Sequence, residues 1–316
     1  MRRVGTGIFV IGLLLIGCKK EGKSIVNEIV VVEDGLKSDN VEVLGKFEEG
    51  ALTYQMSFSD TIVDEFIRAI SEDPLYSKEL AKKYISQLPT EQAEYLSFFL
   101  KANPGFITRY GTFPFLKNNI YVAGYEVIFK GEGVSYILEN RWNELLEEGQ
   151  GYAGSTIVPN TKLNFSYGKD FLEAEQLQTN ITLDKYDRVA TGEVSEIAGY
   201  AVEKIIYTRK PSVISGERIL PKSVIAYSSK SFNPVINKVM PYWVAEEQGI
   251  LKLEVELSES EHSIQMIYQA SMAVKRKLIE DETSILATKA FVLIKENKDF
   301  SSFNVSIAKI VVPPSL

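Results

Sequence analysis

A chain of 316 residues, 45% apolar and 11% aromatic, is long and apolar enough to bury a sizeable core. Its formal net charge of -7 argues against a nucleic-acid partner, because such binding rests on clustered Lys and Arg and no basic stripe is present. An acidic surface otherwise serves solubility and selects no partner.

At the N-terminus, Arg2 and Arg3 precede an apolar run from Ile8 to Ile16. A membrane-spanning helix needs about 20 apolar residues, so this shorter run reads as the h-region of a signal peptide over residues 1–17. The residues Leu15-Ile16-Gly17-Cys18 resemble the bacterial lipobox. That resemblance implies cleavage between Gly17 and Cys18 and acylation of the Cys18 thiol. Cys18 is the chain's single cysteine, so its acylation leaves no thiol for a disulfide and a hydrophobic core must hold the fold. Acyl chains on Cys18 make the membrane a partner and place the protein in the cell envelope, at the outer membrane. Residues 18–46 are charged apart from Ile29-Val30-Val31-Val32 and read as a lipidated tether. Lys19-Lys20-Glu21-Gly22 partly resembles the export signal of surface lipoproteins of Bacteroidetes, with Gly22 where a second acidic residue is usual. Periplasmic and surface-exposed sides both stay open.

Residues 47–316 read as one antiparallel, β-rich domain. Leu52 to Phe58 alternates apolar and polar side chains, the period of a half-buried strand. Over 60–102 the apolar residues instead recur three and four apart, as in Ile62, Phe66, Ile67 and Ile70. Pro74 and Pro89 divide this segment into three helices, and Asn103-Pro104-Gly105 closes the last. Phe113 and Phe115 follow beside Pro114 in a loop-like stretch. Further β-rich runs cover 121–130 and 134–138, and a short helix is expected at Asn140 to Glu148. Strands follow at 163–167, 201–207 and 223–227. Tyr242 and Trp243 sit beside Pro241, with a second short helix expected at Tyr242 to Gln248. Strands at 251–257, 263–272, 288–295 and 303–307 complete the chain.

The class expected is therefore α+β, an antiparallel sheet with helices packed on one face. Val122-Ala123-Gly124-Tyr125 and Ile197-Ala198-Gly199-Tyr200 echo each other, which a duplicated half-sheet or chance recurrence would equally produce. Ile197-Ala198-Gly199-Tyr200, followed by Gly249-Ile250-Leu251-Lys252-Leu253, resembles the pattern of uncharacterised Bacteroidetes envelope lipoproteins related to the LolA-like superfamily, over about residues 50–277. The resemblance implies an incomplete barrel, a strongly curved antiparallel sheet wrapped round helices, with an apolar cavity between them that in some members holds acyl chains. The long insertion at 60–102 and the strands after Lys277 depart from that pattern.

Catalytic constellations are scarce. The single histidine, His262, lies in a charged hairpin turn and reads as a solvated residue. Without a second histidine or a thiol, Ser-His-Asp, Cys-His and multi-histidine metal sites lose most of their routes. Nothing selects a carboxylate pair for glycoside hydrolysis, and Gly131-Glu132-Gly133 lacks the helix and third glycine of a dinucleotide site. Glu246-Glu247 and Asp281-Glu282 read as solvated charges. The expectation is a protein without catalytic residues, metal or cofactor. Phe113, Phe115, Tyr242 and Trp243 remain as residues to rim a cavity or touch a partner, ordinary core packing being the alternative. Two functions follow: a binding protein for a lipid or other apolar ligand, or a component of an envelope assembly that docks a protein partner.

Overall fold

The computed structural model describes residues 46–73, 77–103, 106, 118–133, 135–173, 179–213, 220–256, 263–287, 291–293 and 300–311. In chain order the elements are β1 (Glu49–Phe58), α1 (Thr61–Ile70), α2 (Ser77–Gln87), α3 (Thr90–Ala102), β2 (Asn118–Ala123), β3 (Glu126–Glu132), β4 (Tyr136–Asn143), β5 (Glu148–Ser155) and β6 (Lys162–Gly168). Then come α4 (Lys169–Glu173), β7 (Thr179–Ile181), β8 (Tyr186–Ile197), β9 (Tyr200–Arg209), β10 (Ser223–Ser229), a 3₁₀ helix (Pro234–Val239), β11 (Tyr242–Val244), β12 (Gly249–Glu256), β13 (Gln265–Lys275), α5 (Glu280–Thr283), β14 (Phe291–Leu293) and α6 (Phe300–Val311).

One open sheet dominates, in the order β14-β6-β5-β4-β3-β2-β1-β13-β12-β10-β9-β8. Its strands from β6 to β8 are antiparallel, and β14 adds to β6 in parallel. The chain meanders outward from β1 to β6, then begins again at the far edge with β8 and returns to pair β13 with β1. The 3₁₀ helix contacts β3 and β4 on one arm and β12 on the other. On a flat sheet β3 and β12 would stand four strand spacings, roughly 19 Å, apart. The sheet therefore curves round this helix without closing.

The concave face carries the core. Leu52, Tyr54, Met56 and Phe58 point inward from β1, with Ile120 and Val122 beside them on β2. Inside the curve α1 buries Val63, Phe66, Ile67 and Ile70, and the 3₁₀ helix buries Val235, Ile236 and Val239. Asp60 caps α1 by accepting from Val63 N at 2.9 Å. On the β5–β6 pair, Gly149 lies opposite Tyr167 and Gly151 opposite Phe165, and each ring lies across the glycine. A Cβ at either glycine would collide with the ring. Gly151→Ala is expected to lower stability by about 1–3 kcal/mol, because the overpacked ring has to move; an unchanged urea midpoint would count against this packing.

Both free edges are blunted. Three-residue β14 covers part of β6. β8 breaks its register between Ala190 and Val194, with Gly192 at φ 74, and carries Asp187, Arg188, Glu193 and Glu196. Bulges and charges of this kind discourage edge-to-edge pairing.

Several expectations are corrected. The helix expected at 140–148 is the β4–β5 hairpin. There Trp142 is buried as a strand residue, and Asn143 Oδ1 accepts from Leu145 N and Leu146 N to close the turn. Sheet packing overrides the helical propensity of this segment. Where a helix is expected at 242–248, Tyr242–Val244 form β11, paired in parallel with β7, and residues 245–248 are neither helix nor strand. The strand expected at 303–307 is α6: Phe303, Ile307 and Ile310 are buried while Val305 is exposed, a helical spacing that a strand's period cannot produce. The 121–130 run is two strands joined at Gly124-Tyr125. The two echoes both make two-residue turns but sit one residue out of step. In the first, Gly124 and Tyr125 are the turn, and in the second Ala198 and Gly199, both with positive φ. That offset counts against a duplicated half-sheet. The helices also do not account for all the packing: residues 276–287, α5 included, cross the convex face. Lys130 Nζ donates to Asp281 O at 2.6 Å, Arg141 donates to Thr283 O, and Leu286 N donates to Glu139.

Candidate functional site

Cys18, Gly17, Phe113, Phe115 and His262 lie outside the described residues. Tyr242 and Trp243 are described and half-buried, held in β11 by pairing with β7. Trp243 reaches the 3₁₀ helix, whose Lys238 Nζ stands 4.8 Å from its ring centroid and 5.7 Å from that of Trp142. Such a shared ammonium joins the two indoles by cation–π attraction. Trp142, which sequence reasoning did not single out, is 1% exposed and donates Nε1–H to Glu144 at 2.5 Å.

Trp142 opens a wall of rings on the concave face. It stacks on Tyr167 at 5.7 Å, Tyr167 leads to Phe165 and Phe171, and both of those meet Phe303 of α6 edge-on. Burial pushes the Tyr167 hydroxyl far above its ordinary range, and its proton is donated to Asn140 Oδ1 at 2.6 Å. Near the centre of the sheet Tyr54 stacks on Tyr268 at 4.8 Å and donates to Ile250 O at 2.7 Å. Asn118, paired with Tyr54 and facing the same way, is 1% exposed. Neither its Oδ1 nor its Nδ2 has a hydrogen-bond partner among the described residues. A buried, unsatisfied carboxamide costs about 1–3 kcal/mol.

α1 through α3 form a layer of their own. Phe66 of α1 meets Tyr84 of α2 at 5.8 Å, and Tyr95 of α3 donates to Asp60 at 2.6 Å. The layer also meets the sheet through the rings of Phe58, Phe106 and Phe99.

The convex face is polar. A pocket of about 510 Å³ opens there between Glu126, Arg141, Asn143, Leu146, Glu148 and Gln150. Gly149, Tyr167 and Gly168 also line it, so charged and apolar surface meet there. Nearby, Arg276 and Glu282 form an ion pair at 2.5 Å within the crossing segment. The Arg276 hydrogen bonds hold the Glu282 carboxyl below its usual value against the opposing effect of burial. A depressed folded value means stability that is present above the unfolded value, about 4.3, and lost as pH falls below it. Amide exchange across 276–287 is expected to quicken below about pH 4, and Glu282→Gln to remove that pH dependence. With Arg276 half-exposed, the effect on global stability is about a kcal/mol or less.

Glu246 departs from expectation. Rather than a solvated charge it is almost buried, accepting from Arg188 at 2.7 and 3.1 Å and from the Tyr207 hydroxyl. It clamps the segment after β11 onto the β8–β9 pair. Burial and the adjacent Glu246 raise the Tyr207 hydroxyl, so it stays protonated. Among the described residues no group of three or more His, Cys, Asp or Glu is placed to hold a metal. No described helix is long and apolar enough to cross a membrane.

No protein-family model matches the chain, and no curated protein matches it. Among solved structures, the chain is similar to an uncharacterized conserved protein from Thermus thermophilus, with a TM-score of 0.24 and 10% identity over 53% of this chain and 82% of that one.

Proposed function

We propose that this is a membrane-anchored, non-enzymatic lipoprotein of the cell envelope, LolA-like in architecture. Its curved sheet and helical layer hold a lipid or other apolar ligand between them. The lipobox at Leu15 to Cys18 supports the anchor, and the ring-lined concave face supports an apolar ligand. The observation that carries the reading is Asn118: a carboxamide with no partner among the described residues, set beside Tyr54 and Phe129. It supplies a donor and an acceptor for the one polar group an acyl ester or acid has to bury. Val235, Ile236 and the α1 side chains occupy the curve, so entry requires α1 to α3 to move outward as a layer.

Native mass spectrometry of the chain from Ser24 onward, purified without detergent, tests this. A lipid-sized mass released on unfolding supports the reading, and its loss in Asn118→Leu assigns the polar anchor. A bare mass with no uptake of added fatty acid or phospholipid overturns it. A second reading, docking of an envelope protein partner, is favoured by Val189 and Val194, which stand 57% and 71% exposed on β8. A partner protein retained by the chain, and lost in Val194→Lys, would support it.

A further inference from the structure

The end of the sheet where the tether enters carries a cluster of strongly exposed apolar side chains. Glu49, the first residue of β1, pairs with Ala123; after the Gly124-Tyr125 turn, Glu126 pairs with Asn143, which pairs across the next turn with Glu148. One register row thus joins the entry of the chain to the tips of both hairpins. Tyr125 is 53% exposed, Leu145 71% and Leu146 66%. Among the described residues, these two leucines are the only sequence-adjacent pair of large apolar side chains exposed to this degree. The tips stand two strand spacings, about 10 Å, apart.

These tips are built, not frayed. Gly124 N donates to Glu48 O at 2.8 Å and Glu144 N to Tyr125 O at 2.9 Å, bracing the turns against each other and the incoming chain. Asn143 Oδ1 takes both leucine amides, and Lys169 holds Glu147 at 2.6 Å. Such a turn presents two leucines outward in fixed positions, where a polar pair would serve solubility better.

We infer that the hairpin tips at Tyr125 and Leu145-Leu146 rest in the interface of the bilayer that anchors Cys18, so the concave face opens alongside that membrane. The inference rests on the lipid-anchor reading. A coil of the length between Cys18 and Phe47 spans on the order of 30 Å. It therefore holds the tips at an effective concentration at which weak insertion suffices. Glu126, Glu144, Glu147 and Glu148 surround the tips against two cations, Lys169 paired with Glu147 and Arg141 with Glu126, which leaves the rim acidic. The surface they fit is zwitterionic, such as phosphatidylethanolamine and phosphatidylcholine, because anionic lipid would repel them.

The test uses the full chain, matured in a bacterium and reconstituted in phosphatidylethanolamine–phosphatidylcholine vesicles carrying a doxyl-labelled lipid. Because Cys18 is the only native cysteine, a fluorophore goes selectively to Leu146→Cys, or to Lys162→Cys at the opposite end of the strands. Quenching several-fold stronger at 146 than at 162, and abolished in that labelled chain by Leu145→Ser, supports the inference. Equal, weak quenching with a mass showing acylated Cys18 overturns it alone and leaves the leucines to a protein partner. A mass showing unacylated Cys18 overturns the anchor, and this inference with it.

Discussion

With residues 1–17 removed, Cys18→Ala is expected to move the protein from the membrane fraction to the soluble fraction without changing its unfolding transition. Each buried methylene of an acyl chain contributes about 0.8 kcal/mol, and two or more chains anchor stably where one holds only marginally. Loss of the thiol removes all of this at once, so the partition should change by several orders of magnitude. The tips at Tyr125 and Leu145-Leu146 cannot replace it, since without the tether their local concentration at the bilayer collapses. Fractionation with mass analysis of the mature chain is the measurement. A variant that stays with the membrane as strongly as the parent would sink the lipobox reading.

Trp142→Ala should be the most destabilising of the aromatic truncations, by about 3–5 kcal/mol. The ring is 1% exposed, stacks on Tyr167, faces Lys238 and donates Nε1–H to Glu144. Its removal leaves a cavity beside Tyr167, which has no space to collapse because Gly149 already lies against it. Trp142→Phe keeps much of the packing and loses the hydrogen bond, for a cost nearer to about 1–2 kcal/mol. Trp243→Ala, at a half-buried position, should cost no more than about 1.5 kcal/mol. Urea midpoints for the three variants check the order. If Trp243→Ala costs as much as Trp142→Ala, the concave wall is not where the stability lies.

The contrast between these tryptophans shows what could be read in advance. Trp243 drew notice through the prolyl bond before Tyr242, a local feature. Trp142 lay hidden in Asn140-Arg141-Trp142-Asn143-Glu144-Leu145-Leu146, whose good helix formers suggest a helix. In β5, Gly149, Gly151 and Gly154 masked the strand, because glycine has no side chain to alternate. Their purpose is visible only once Tyr167 and Phe165 are seen lying across two of them. β8 escaped for the opposite reason: an edge strand wet on both faces shows no apolar period.

Residue spacing alone determined the strand at Leu52 to Phe58, the helical segment over 60–102 and the antiparallel class, because one-sided burial writes its period directly into the chain. The lipobox resemblance at Leu15 to Cys18 is legible in the same way, from a short motif that needs no fold. Tertiary structure decided what local spacing leaves open. Phe303, Ile307 and Ile310 became the buried face of a helix, with Phe303 packed against both Phe165 and Phe171. Glu246 became a buried clamp because Arg188 and Tyr207 meet it from strands distant in the chain. Tyr125, Leu145 and Leu146 came to share the tether's end of the sheet because strand register aligns residues that no sequence interval relates.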